Sequence, residues 1–164
     1  MKSSPSRDAA PRKRHADAID AFEAATRMLV GLATRSLAGE TVTLPQFRLL
    51  AALADRGPLP SSRAAAALGL NASSVTRLGD RLELVGLLSR TREPGNRSVV
   101  TLGLTAAGGE LVHRVLTSRR ETLSRLLGQL DPRDVDGAAK ALWRLTKLAA
   151  ADEALGDLVP YPHG

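Results

Sequence analysis

Apolar residues recur at helical spacing over most of this 164-residue chain, and the period changes to alternation once. From about His15 to Leu37, Ile19, Phe22, Met28, Leu29 and Leu32 gather on one broad side, and Gly39 supplies a stop. "TLPQFRLLAAL" starts a second helix, with Thr43 and Gln46 at capping-box spacing and Phe47, Leu50 and Leu53 as its apolar stripe. Pro45 fits there because first-turn amides have no partner within the helix. "DRGPLP" closes that helix, and "SSRAAAALGL" makes a short one from near Ser61, its Ala64 to Ala67 tract allowing close packing. Gly69-Leu70-Asn71 is a tight connection into a further helix, which Asn71 caps.

Beyond Gly86 the period becomes two. Leu88-Ser89-Arg90-Thr91-Arg92 forms one strand, "EPGN" turns, and Val100, Leu102 and Leu104 alternate on the return. Thr105 then caps a long helix carrying Leu111, Val112, Val115, Leu116, Leu123, Leu126 and Leu127. Asp131-Pro132, an N-cap and a first-position proline, opens a last helix through Val135, Ala138, Ala139, Leu142 and Leu145. The predicted class is mainly α with a small β-hairpin.

The helix after Asn71 has a polar face that a core does not explain. At about 100° per residue, Val75, Leu78, Leu82 and Val85 form its buried stripe. Ser73, Thr76, Arg77 and Asp80 lie opposite, with Ser74 on the flank. Short hydrogen-bonding side chains admit close approach to base edges, and one arginine can pair bidentately with guanine. An isolated helix of this kind would be an ordinary solvated one. Here a short helix precedes it, as in a helix-turn-helix, and a hairpin carrying Arg90, Arg92 and Arg97 follows as a wing.

Composition sharpens this. Lys and Arg outnumber Asp and Glu by 23 to 17, a net charge of +6 that suits polyanions. Aromatics are only 2% of the chain (Phe22, Phe47, Trp143 and Tyr161), too few for stacking single-stranded bases. Double-stranded DNA is therefore the expected partner. The absence of cysteine removes disulfides, thiolate metal sites and thiol redox sensing. His15, His113 and His163 never meet metal-ligand spacing, Ser73 and Ser74 have no neighbouring histidine base, and no glycine-rich phosphate loop occurs. No enzymatic activity, cofactor or metal is expected. No apolar run reaches the ~20 residues of a membrane span, and the start lacks a secretory signal, so no membrane partner and a cytoplasmic location are expected.

These residues carry a resemblance. From about Thr43 to Leu111 the chain resembles the MarR family of bacterial winged-helix transcription regulators, through "TLPQFRLLAAL", "LGLNASSVTRLGDRLELVGLLSR" and "VTLGLTAAG" in the family's order and spacing. The resemblance implies a winged helix-turn-helix flanked by long N- and C-terminal dimerisation helices. Ser73, Ser74, Thr76 and Arg77 fall where the family contacts the major groove, and Asn96, Arg97 and Ser98 fall at the wing tip that enters the minor groove, with Arg90 and Arg92 further along the wing. Family members usually carry an aspartate followed by arginine at that tip. This chain has Gly95-Asn96-Arg97-Ser98, so either Asn96 and Ser98 replace an acid and an arginine or the turn is shifted by one residue. Ala64 also stands where a leucine is common.

The expected organisation is a flexible basic arm over 1–14, a dimerisation helix over 15–40, the DNA-binding domain over 43–105, dimerisation helices over 106–151 and a tail over 152–164. The long helices carry more apolar surface than a small winged helix covers, which favours a homodimer over a purely internal core. The function implied is sequence-specific regulation from a pseudo-palindromic operator, repression being the commoner family outcome. Relatives also bind small aromatic or lipophilic ligands in a crevice between the dimer and DNA-binding parts. Arg27, Arg48 and His113 are candidates to line one here, though each reads better as a surface or packing residue. A winged helix that binds only protein, or a non-specific architectural DNA binder, is the alternative.

Overall fold

Four helices in this chain begin where a side chain is available to answer the free amides of a first turn. In the computed structural model, which describes residues 9–93 and 96–152 (backbone alone at 9–12, 93 and 96–98), the expected caps are in place. The Gln46 side-chain oxygen accepts from the Thr43 amide at 2.8 Å and the Thr43 hydroxyl at 2.9 Å, opening α2 (Leu44–Arg56). Asn71 accepts from the Ser74 amide at 2.8 Å, Thr105 from the Gly108 amide at 3.0 Å and Asp131 from the Arg133 amide at 2.8 Å. These open α4 (Ala72–Leu84), α5 (Ala106–Leu127) and α6 (Pro132–Ala151). Each such cap stabilises its helix by roughly 1 kcal/mol.

Two elements depart from the expectation. Helix α1 spans Ala9–Arg35, so residues 9–14 of the expected flexible arm are helical; residues 1–8 lie outside the described residues. Ala, Arg and Lys propagate a helix well, and Pro11 falls in the first turn, where its missing amide costs nothing. The second is a strand, β1 (Leu59–Pro60), inside the "DRGPLP" taken as a helix stop. Two residues ending in proline give no alternation to read, and proline is tolerated because β1 is an edge strand.

The sheet is antiparallel with order β1-β3-β2, where β2 is Leu88–Glu93 and β3 is Asn96–Leu104. Leu59 pairs with Leu102, Leu88 with Leu104 and Arg90 with Leu102, and the register shifts between Arg92 and Glu93. The Ser61 hydroxyl, at the start of α3 (Ser61–Leu68), donates to the Val100 carbonyl at 3.0 Å and ties that helix to the sheet. Between α3 and α4 the chain reverses at Gly69, whose φ of +63° is a left-handed conformation that a side chain would strain. Its amide and that of Leu70 close onto Ala66 and Ala65.

One core serves all these elements. Leu49 and Leu50 of α2, Ala64 of α3, Leu82 of α4, Leu102 of β3 and Val115 of α5 are essentially inaccessible to water. Ala64 fits here because α3 packs closely. Val85, expected in the α4 stripe, is half exposed because the helix ends at Leu84. By contrast α6 buries no residue, and none of residues 13–35 in α1 is buried. Ile19, Phe22, Met28, Leu142, Trp143 and Leu148 stand in water. The protein therefore has a closed winged-helix core and two amphipathic helices, α1 and α6, whose apolar sides are unmatched among the described residues.

Candidate nucleic-acid interface

The turn at Gly69 and the Asn71 cap present the first two turns of α4 outward. Ser73 donates from its hydroxyl to the Asn71 side chain at 2.9 Å, and Thr76 donates to the Ala72 carbonyl at 3.0 Å. Both hydroxyls keep acceptor capacity toward solvent. Ser73, Thr76 and Arg77 are exposed and Ser74 is half-buried, so the four expected reading residues share one end of one helix. Val75 and Leu82 fix the roll of that helix by seating in the core. Arg77 lies beside a shallow groove shared with Pro45, Leu70 and Arg81. Among the described residues neither Arg77 nor Arg81 meets a carboxylate, leaving both guanidinium groups free to take an external anion.

Arg90 is different, because the structure engages it with α4 in a way the wing expectation did not foresee. Its side chain is only 22% exposed. Nη1 lies 2.6 Å from Oδ1 of Asp80, Nη2 donates to the Thr76 carbonyl at 2.9 Å, and Nε stands 3.5 Å from Oε2 of Glu83 without hydrogen-bond geometry. Gly79 makes room for it, since a Cβ there would sit 2.5 Å from Nη2. Arg90 thus clasps α4 instead of projecting from the hairpin. The alternation carried the signal: Arg90 shares a strand face with Leu88, which is buried, so it points toward α4. The clasp also accounts for Asp80, an acid on a face otherwise suited to DNA.

Further out, Arg92 pairs in register with Val100 and its side chain is exposed, with no carboxylate in reach among the described residues. Glu93 and Asn96 are register partners, and Pro94 and Gly95 lie outside the described residues. The side chains of Asn96, Arg97 and Ser98 lie outside the described residues.

Where α1, α2 and α5 meet, Arg119 makes a second polar feature. Its Nε and Nη2 donate to the Ser36 hydroxyl at 3.3 and 3.0 Å, and its guanidinium carbon lies 5.3 Å from the centre of the Phe47 ring. Burial holds its pKa below the usual arginine value. No carboxylate compensates it among the described residues. Alongside, α1 and α5 bound a crevice of about 510 Å³ lined by Met28, Leu32, Arg35, Ser36, Arg125 and Leu126 among others. Arg48 reaches the Leu68 carbonyl at 3.5 Å and Arg27 pairs with Glu23, so neither lines this crevice. His113 lies elsewhere on α5, beside Arg114. No group of three potential metal ligands occurs among the described residues, and none of their helices is long and apolar enough to cross a membrane.

Comparison with known proteins agrees with this geometry. The family model described as MarR family matches residues 42–100, from the start of α2 into β3. The chain is 33% identical over 118 residues to the HTH-type transcriptional repressor MdtR of Bacillus subtilis (strain 168), covering 72% of this chain and 76% of that one. Among solved structures, RV1404 from Mycobacterium tuberculosis is 31% identical with a TM-score of 0.72, covering 90% of this chain and 97% of that one. A MarR family protein from Bacillus stearothermophilus shares the fold at a TM-score of 0.76 and 24% identity, covering 83% and 95% of the two chains. With a helix-turn-helix, a wing and relatives of this kind, the chain belongs to the MarR family of transcription regulators.

Proposed function

We propose that the protein is a sequence-specific repressor that binds double-stranded DNA as a homodimer on a pseudo-palindromic operator. The observation that carries the DNA reading is Arg77, exposed beside Ser73 and Thr76 at the start of α4 and unpaired by any described carboxylate. This is the arrangement a major-groove reader requires. On this reading Ser73, Ser74, Thr76 and Arg77 contact base edges and the nearby backbone, while Arg92, Asn96, Arg97 and Ser98 approach from the wing.

Dimerisation is supported by the apolar residues that α1 and α6 leave in water, Phe22, Leu142 and Trp143 among them. A contiguous apolar patch of more than a few hundred Å² is unusual on a monomer. Two-fold pairing through these helices would set two α4 helices on half-sites about 34–36 Å apart, one turn of duplex. The crevice beside Arg119 is the proposed seat of a small aromatic or lipophilic ligand that releases the DNA, because it combines apolar side chains with uncompensated cations.

Selection from random duplexes with excess non-specific competitor tests this reading. A two-fold symmetric motif is the expected result. Salt-sensitive retention without a motif would indicate an architectural binder, and no retention at low salt would indicate a protein-binding module. A panel of small aromatic acids titrated against the retained complex tests the ligand reading separately; failure of every one to shift affinity would remove it and leave the repressor reading intact.

A further inference from the structure

We propose that Arg90 is a positioning residue for DNA docking, acting by neutralising Asp80 and Glu83 on the recognition helix so that they do not repel the phosphate backbone. This rests on the DNA-binding reading and goes further, because it assigns a role to a wing arginine that does not touch the duplex. Asp80 and Glu83 are both exposed, Asp80 within the face of α4 that carries Ser73 and Arg77 and Glu83 at its edge. Unanswered, they would place two negative charges at the edge of a surface that has to approach a polyanion. Like charges brought together across an interface are among the costlier arrangements in association.

Arg90 is built to prevent that. It enters from the inward face of β2, where it sits level with Leu88, and its guanidinium reaches Asp80, the Thr76 carbonyl and the neighbourhood of Glu83 at once. Gly79 leaves its flank of α4 bare for the planar group to lie against, at a position where any side chain would meet Nη2. The cation cancels one of the two negative charges and screens the other. A surface arginine that simply met DNA would have no need of a glycine seat, a helix carbonyl and two carboxylates. The more exposed Arg77 and Arg92 have none of these among the described residues.

Binding of a mixed-sequence duplex of ~40 base pairs, long enough for two half-sites, tests the assignment at low salt. It is read by fluorescence anisotropy for the parent, Arg90→Met, Arg90→Lys, Asp80→Asn with Glu83→Gln, and the triple variant Arg90→Met, Asp80→Asn, Glu83→Gln. Thermal melts by circular dichroism accompany each variant. Arg90→Met is expected to weaken binding by about tenfold or more, and the triple variant to return to within about threefold of the parent. Arg90→Lys, which keeps the charge but loses the fork, is expected to stay near the parent. The double variant is expected to bind as tightly as the parent or tighter. A triple variant as weak as Arg90→Met overturns the proposal. With the salt slope reduced by about 0.9 it would make Arg90 a phosphate contact; with the slope unchanged it would make Arg90 a purely mechanical brace. If Arg90→Met fails to fold, Arg90→Lys and the triple variant still decide, since loss of binding in either one contradicts charge neutralisation. If the parent itself does not bind duplex, the DNA reading falls first and takes this assignment with it.

Discussion

Replacing Arg77 by alanine should separate reading from folding. The side chain is exposed and makes no ion pair with a described residue, so its removal should change folding stability by less than about 0.5 kcal/mol. Alanine is also the better helix former, which offsets any small loss. Its contribution to binding is of another size. A bidentate contact to a guanine is worth about 1–3 kcal/mol of discrimination, or about five- to 150-fold in Kd at roughly 1.4 kcal/mol per factor of ten. A dimer engaging two half-sites loses that twice. The assay is anisotropy on a duplex recovered by selection, run beside a thermal melt and a repeat of the selection with the variant. Binding should weaken by this range for each half-site engaged and base choice should relax at one position in each half-site, with an unchanged melt. Unchanged affinity and unchanged base choice would refute the docking of α4 described above, and a lowered melt with uniformly weaker binding would make Arg77 a structural residue.

Asn71→Ala removes the cap that holds the Ser74 amide and the Ser73 hydroxyl, and should cost about 1 kcal/mol in chemical denaturation with a loss of DNA affinity, since it loosens the turn that presents α4. Leu50→Ala empties a fully buried position between helices and sheet and should cost about 2–5 kcal/mol by the same measurement. Leu142→Asp with Leu145→Asp charges an exposed face of α6 that buries nothing within the chain; sedimentation should show the dimer shifting toward monomer. Glu40→Gln breaks the pair with Arg114 at 3.2 Å, and because Arg114 is half in solvent the loss in denaturation should stay below about 1 kcal/mol.

Local signals in the sequence carried most of the fold, because helix caps and stripes are local. Thr43, Asn71, Thr105 and Asp131 each announce a helix within three or four residues, and each caps one. Strand β1 was hidden because its two residues acquire strand character only by pairing with Leu102 and Thr101, far along the chain. The start of α1 was missed because a basic, proline-containing run reads as an arm, whereas Pro11 in a first turn is compatible with a helix. For the interface, the face opposite Val75 and Leu82 was enough to gather Ser73, Thr76 and Arg77. The contacts of Arg90 with α4 were missed by counting cations along the hairpin without asking which side of the strand each takes. Period two puts it with Leu88, and an arginine on an inward face has to find carboxylates, which Asp80 and Glu83 provide.

Helix α5 links the two halves of the molecule by a rigid path. Its first turns bury Leu111, Val112 and Val115 in the winged-helix core, and its far end leaves Leu126 and Leu127 in water, so one helix about 33 Å long belongs to the core at one end and to the unmatched apolar surface at the other. An unbroken helix transmits rotation instead of absorbing it, and nothing in α5 is a proline. Near its middle Arg119 holds Ser36 of the segment following α1 and lies over Phe47 of α2, so three helices are joined at one cation that has no described carboxylate to satisfy it. On the ligand reading proposed above, an acidic ligand in the adjoining crevice would lie against Ser36, which lines it and holds Arg119, and would bear on this joint. If the proposed dimer forms through α1 and α6, a small change at this joint would be carried along α5 and enlarged at α4, where the spacing of two α4 helices would have to match a turn of DNA. The energetic demand is modest: a ligand that favours the mismatched geometry by about 1.4 kcal/mol per complex lowers occupancy tenfold. If the ligand reading proposed above holds, Arg119→Met should leave DNA binding near the parent's while abolishing any response to an acidic ligand, a separation that denaturation of the joint would not produce.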